Sequence, residues 1–221
     1  MLPEISIDPA LKALAPDLVL GCISARVSVE KHNEALWREI DQHLTHLSST
    51  INPDQINSIP QIAAVRSAYK ALGKDPSRYR GSAEALLRRA LSGKGLYRIN
   101  SVVDINNLVS LESLNPAGTY DLEKITPPIE LRIGATGEGY KGIGKDLINI
   151  ESLPVFVDAG GAFGSPTSDS ERAMVNLETR RVLMVVFSFT GPQGLEQWVS
   201  RASELLRRHC SAEEIETSLV T

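Results

Sequence analysis

Apolar positions fall into two regimes along this chain. In most of the first half they recur at three- and four-residue spacing, and beyond it they gather in short runs between glycines. Residues 17–30 are an early exception: rich in Val, Ile and Leu with an alternating tail, they predict a strand. Leu36, Ile40, Leu44 and Leu47 predict a helix over 33–47, with Asn33 as its N-cap. A loop marked by Asn52, Pro53, Asp54 and Pro60 leads to a helix over 61–72 that ends at Gly73. Its apolar face uses Ile62, Val65, Tyr69 and Leu72. Ser82 is expected to cap a shorter helix, with Leu86, Leu87 and Leu91 inward and Arg88 and Arg89 outward.

In the second half, residues 130–133, 153–158 and 181–189 are the clearest strands, and Leu183 to Phe187 is apolar on both faces, as a central strand requires. Leu195, Trp198, Val199, Ala202, Leu205 and Leu206 make one stripe and predict a helix over 193–209. Ser211 with Glu214 reads as a capping box and predicts a last short helix. Helices first and strands later place the chain in the α+β class, with a mixed sheet packed against helices.

Composition changes this picture little. Of 221 residues, 42% are hydrophobic and 23% charged, as in an ordinary globular chain. No run of eighteen apolar residues exists, so no membrane span is expected, and Met1 to Ile5 does not open like a signal peptide. Cys22 and Cys210 read as buried free thiols of a reducing cytoplasm. His32, His43, His46 and His209 carry no metal-binding spacing, so no metal is expected. Charge is more informative. Nine basic residues between Arg66 and Arg98 face only Asp75 and Glu84, so this stretch carries +7 within a chain of net charge −4. A basic strip on an acidic body suits a docked polyanion; the plainer reading is a solvated pair of helices.

Candidate chemistry is sparse. No Gly-x-Ser-x-Gly elbow and no Walker motif are present, and Gly137, Gly139, Gly142 and Gly144 read as a turn between strands. Two polar clusters stand out. Asp104, Asn106 and Asn107 interrupt an apolar helix, where side-chain amides and carboxylates need partners. After the strand ending at Asp158, Gly160, Gly161, Phe163 and Gly164 lead into Ser165, Thr167, Ser168, Asp169 and Glu171, a glycine-lined loop followed by hydroxyls and carboxylates. The plainer readings are a braced helix and an ordinary strand-to-strand loop.

These clusters resemble the editing domain of the phenylalanyl-tRNA synthetase beta subunit. The run Val102-Val103-Asp104-Ile105-Asn106-Asn107, then Pro116 and Tyr120-Asp121, is similar to that family's valine-valine-aspartate motif with its following proline and aromatic-aspartate pair. Gly160-Gly161-Ala162-Phe163-Gly164 resembles its glycine turn. The resemblance covers about residues 78–189 and implies one editing-type domain: an elaboration over 1–75, a core over 76–190 and C-terminal helices over 191–221. It implies hydrolysis of mischarged aminoacyl-tRNA, without cofactor, because one methylene discriminates by only about 1–3 kcal/mol in a synthetic pocket. The implied catalytic set is Asn106, Asn107, Thr167, Asp169 and Glu171. Asp104, Gly160, Gly161, Phe163, Gly164, Ser165 and Ser168 would line the pocket. Arg78, Arg80, Arg88, Arg89, Lys94 and Arg98 would hold tRNA phosphates. The implied partners are aminoacyl-tRNA, translation factors and synthetases, in the cytoplasm.

Two positions depart from the family pattern. Gly118 stands where it has histidine, and Pro166 falls near its glutamate. A non-catalytic RNA-binding module and an enzyme of small amino-acid esters or amides are therefore the competing expectations.

Overall fold

The computed structural model describes residues 1–221. In chain order the elements are β1 (Ile5–Ile7), α1 (Pro9–Leu14), β2 (Val19–Arg26), α2 (Glu34–Thr50), α3 (Pro60–Ala71), α4 (Ser82–Leu91) and α5 (Ser101–Ser113). They continue as β3 (Ala117–Asp121), β4 (Ile129–Ile133), β5 (Gly139–Lys141), β6 (Leu147–Asn149), β7 (Pro154–Asp158), β8 (Gly161–Gly164), β9 (Arg181–Ser188), α6 (Leu195–Cys210) and β10 (Glu213–Val220).

Two four-stranded sheets build the α+β fold. One is antiparallel, in the order β10-β2-β9-β3; the other is mixed, in the order β1-β4-β7-β8, with β1 parallel to β4. Strand alternation sends the side chains of the first sheet into two cores. Leu183, Val185 and Phe187 of β9 join Leu131 and Phe156 of the second sheet. Val182, Met184 and Val186 face Val102, Ile105 and Val109 of α5 and Val199 and Leu206 of α6. The first sheet is thus covered by strands on one face and helices on the other, which is why β9 reads as apolar on both sides. A third cluster, Leu47, Ile56, Ile62, Leu87 and Leu111, joins α2 to α5 beside the sheets.

The Asn33 cap forms as expected, its Oδ1 accepting from Leu36 N at 3.0 Å. Three local expectations fail. Gly81, not Ser82, is the N-cap of α4, and the Ser82 hydroxyl instead reaches the backbone of β3. The inward face of α4 is Ala83, Glu84, Leu87 and Ala90, leaving Leu86 and Leu91 half-buried. No helix follows Ser211. That residue closes α6 in the left-handed conformation (φ 48°), and the chain turns into β10, whose backbone pairs with β2 from Val220 to Glu213. Pairing along a buried sheet outweighs a two-residue capping signal.

No helix is long and apolar enough to cross a membrane. Cys22 and Cys210 lie in different cores, and burial pushes their thiols up to about 12 and about 11.

Candidate functional site

The two polar clusters, about sixty residues apart in sequence, are connected through β3 and the start of α4. From the helix side, Asn106 Oδ1 accepts from Thr119 Oγ1 at 2.9 Å, and its Nδ2 reaches Ala117 O at 3.4 Å. Ala117 N donates to Ser82 Oγ at 3.3 Å, and Ser82 N donates to Pro166 O at 2.8 Å. Helix α5, strand β3, the start of α4 and the 165–168 loop are thereby linked through backbone and side-chain hydrogen bonds. Asn107 is half-buried and leaves its amide unused within the chain.

The loop itself is tightly held. Ser165 Oγ accepts from Thr167 N at 3.1 Å and Ser168 N at 2.9 Å, and donates to Ser168 O at 2.9 Å. Tyr140 OH donates to Ser168 O at 2.6 Å, and Tyr69 OH pairs with Thr167 Oγ1 at 2.7 Å. Burial raises the Tyr140 hydroxyl to about 12 and raises that of Tyr69 as well, so both stay protonated.

Tyr120 completes this inner layer. It stacks edge-on against Phe163 and Phe156, with centroids 5.0 and 5.9 Å away. Its ring fills space left by two glycines: a Cβ at Gly118 would strike the Tyr120 hydroxyl, and one at Gly164 would strike the ring. The Tyr120 hydroxyl and Asp169 Oδ1 are both buried without a hydrogen-bond partner of good geometry. Burial lifts the Asp169 carboxyl to about 7, against the opposing pull of the Tyr120 hydroxyl. Asp169 therefore titrates near neutrality.

Several expected site residues serve the framework. Asp104 is buried and accepts from Trp37 Nε1 at 2.7 Å and Ile99 N at 3.1 Å. Phe163 lies in the core rather than on a pocket wall, since its ring stacks on Phe156. Gly160 and Gly161 turn the hairpin at the end of β8 away from Ser165, where Asp158 accepts from Gly160 N and pairs with both terminal nitrogens of Arg172. Glu171 is half-exposed and bonded to Lys141 at 2.9 Å. In the basic strip, Arg80 and Arg88 lie on buried Glu84 with Arg66, and Arg98 lies on Glu34. Arg78, Arg89 and Lys94 have no carboxylate partner.

The sequence assigns no site role to Tyr69, Tyr140, Ser82 or Thr119. The signal for the tyrosines was their hydroxyls: Tyr69 was placed on an apolar helix face, where a buried phenol still needs a polar partner.

Residues 64–219 match the B3/4 domain. The chain belongs to the B3/4 domain family. It is a homologue of that domain of the phenylalanyl-tRNA synthetase beta subunit. Among solved structures, an N-terminal fragment of the phenylalanyl-tRNA synthetase beta subunit from Pyrococcus horikoshii aligns with 98% of this chain and 50% of its own, at 13% identity and a TM-score of 0.47. The chain thus spans about half the length of that fragment. No curated protein matches the sequence.

Proposed function

We propose that this B3/4 chain is a trans-editing hydrolase that deacylates mischarged aminoacyl-tRNA. The observation that supports this reading is the hydrogen-bonded relay from Asn106 through β3 and Ser82 to Pro166 of the 165–168 loop, in a chain of this family. Such a site needs no nucleophilic side chain, because an aminoacyl ester is reactive once a water is held in line. Water attacks the ester carbonyl carbon, and the ribose oxygen leaves with a proton, giving free amino acid and tRNA. In this proposal Asn107, with its amide unused, holds the water or the terminal adenosine. Asn106 is fixed by Thr119, and Thr167 by Tyr69, so both present oriented groups. Asp169 acts through the loop, since its carboxylate faces Tyr120. Glu171 is a carboxylate held beside Lys141, with acceptor sites left free.

The test is release of amino acid from a panel of labelled aminoacyl-tRNAs, matched and mischarged, by the purified protein at neutral pH. Loss of one mischarged amino acid with matched pairs spared supports editing, and no release from any member rejects it. A second reading, a non-catalytic tRNA or RNA binder, draws on the Gly118 position. The Tyr120 hydroxyl occupies the space where the resemblance places a histidine. Bound tRNA without turnover would favour it.

A further inference from the structure

Of the nine basic residues between Arg66 and Arg98, Arg66, Arg80 and Arg88 share the one carboxylate of Glu84, and Arg98 pairs with Glu34. Lys70, Lys74, Arg78, Arg89 and Lys94 have no carboxylate within ion-pair reach. Two aromatic rings sit among these unmatched cations. Lys74 Nζ lies 4.8 Å from the centroid of Tyr79, and Arg89 Cζ lies 3.9 Å from that of Tyr97. The pairs flank the two ends of α4, a ten-residue helix about 15 Å long.

Tyr97 is the more unusual of the two. It is 65% exposed, on a segment that turns through Gly93 (φ 75°) and Gly95 (φ 59°). The segment is nonetheless pinned. Leu96 packs against the helix cores, and Ile99 N donates to buried Asp104 at 3.1 Å. Arg89 is oriented by Lys94 O at 3.4 Å, and its Nε is buried without a partner. A large ring is therefore held out in solvent with a guanidinium on one face, beside a second unmatched cation. Protein interfaces favour tyrosine and arginine too but are depleted in lysine, and three of the five unmatched cations are lysines, so a protein partner is the weaker fit. An exposed ring with a guanidinium over one face, next to further cations, matches an unpaired base and its phosphates.

We propose that Tyr97 and Arg89 form a stacking platform for an unpaired RNA base, with Lys94 neutralising the adjoining phosphate. The inference rests on the proposed function only for the source of the strand, the aminoacyl-tRNA. It extends recognition from tRNA phosphates alone to an unpaired base.

The test is fluorescence anisotropy of the full chain with a short unstructured RNA of mixed sequence and with a blunt duplex of equal length, over a series of salt concentrations. Tyr97→Ala should weaken single-strand binding about tenfold. Tyr97→Phe should bind nearly as the parent does, and its unfolding curve controls for the fold. Lys94→Ala should reduce the logarithmic salt slope by about one. Equal binding by Tyr97→Ala, a preference for the duplex, or no RNA binding by the parent would each overturn the platform. The two readings separate: deacylation with an inert Tyr97→Ala keeps the enzyme and removes the platform. A tenfold loss in a chain that releases no amino acid does the reverse.

Discussion

The hydroxyl of Thr119 donates to the side-chain oxygen of Asn106 across 2.9 Å, fixing a helical amide against a strand at the sheet's edge. If this bond orients the site, Thr119→Val, which keeps the shape and removes the donor, should lower deacylation turnover about tenfold with little change in tRNA binding. Asn107→Ala should cost on the order of a hundredfold in kcat, the usual effect of losing one aligned polar group. Single-turnover deacylation with matched binding curves measures both. Undiminished hydrolysis in Asn107→Ala would remove that residue from the chemistry.

Asp169 makes stability depend on pH. Its folded carboxyl sits near 7 and its ordinary value is 3.8, so between those limits the folded chain holds the proton more firmly than the unfolded one. This contribution is fully present below about 4 and is lost as pH rises through 7. Asp169→Asn should flatten that part of the profile, leaving a difference on the order of a few kcal/mol across the window. Urea unfolding of both proteins from pH 4 to 8 measures it; parallel profiles would contradict the assignment.

Tyr120 and Gly118 should be coupled. A methyl at 118 meets the Tyr120 hydroxyl, so Gly118→Ala is expected to destabilise the fold by about 1–3 kcal/mol through overpacking. Tyr120→Phe removes the obstructing oxygen, and the double variant should recover part of the loss. A double-mutant cycle by thermal unfolding gives the interaction energy. Simple additivity would mean that the backbone yields instead.

Glu84 is 3% exposed and lies 3.1, 3.6 and 2.8 Å from Arg66, Arg80 and Arg88. Glu84→Ala should destabilise by about 3–5 kcal/mol, because it leaves a largely buried arginine unpaired. Among the folded molecules, nucleic-acid binding should tighten as three guanidiniums are released. Chemical denaturation and anisotropy at low salt test the two halves separately.

Much of this architecture was legible, and the exceptions have physical causes. Unbroken apolar character marked β9 as central because both of its faces meet a core. Asn33 announced its helix through a side chain that bonds locally. Strand β1 has three residues and depends on β4, 124 positions away, so local pattern carries little trace of it. Ser211 and Glu214 resembled a cap until long-range pairing with β2 decided otherwise. At the site, the asparagines and the hydroxyl loop were visible as polar residues in apolar settings. Their distribution was not: Asp104 is taken up by Trp37 and Ile99, while Asn107 stays unused. The tyrosine layer was hidden because a phenol follows the same periodicity as a core residue.

Strand β2 has one further consequence, for the order in which the chain can assemble. Its neighbours β9 and β10 begin at Arg181 and Glu213, so β2 waits for both partners until long stretches of later chain have been made. Until then its backbone edges and apolar faces are unprotected, and pairing at such separation is slow. A nascent chain of this topology calls for shielding by the ribosome surface or a chaperone, and its refolding in dilute buffer should lag behind that of helical proteins of equal size.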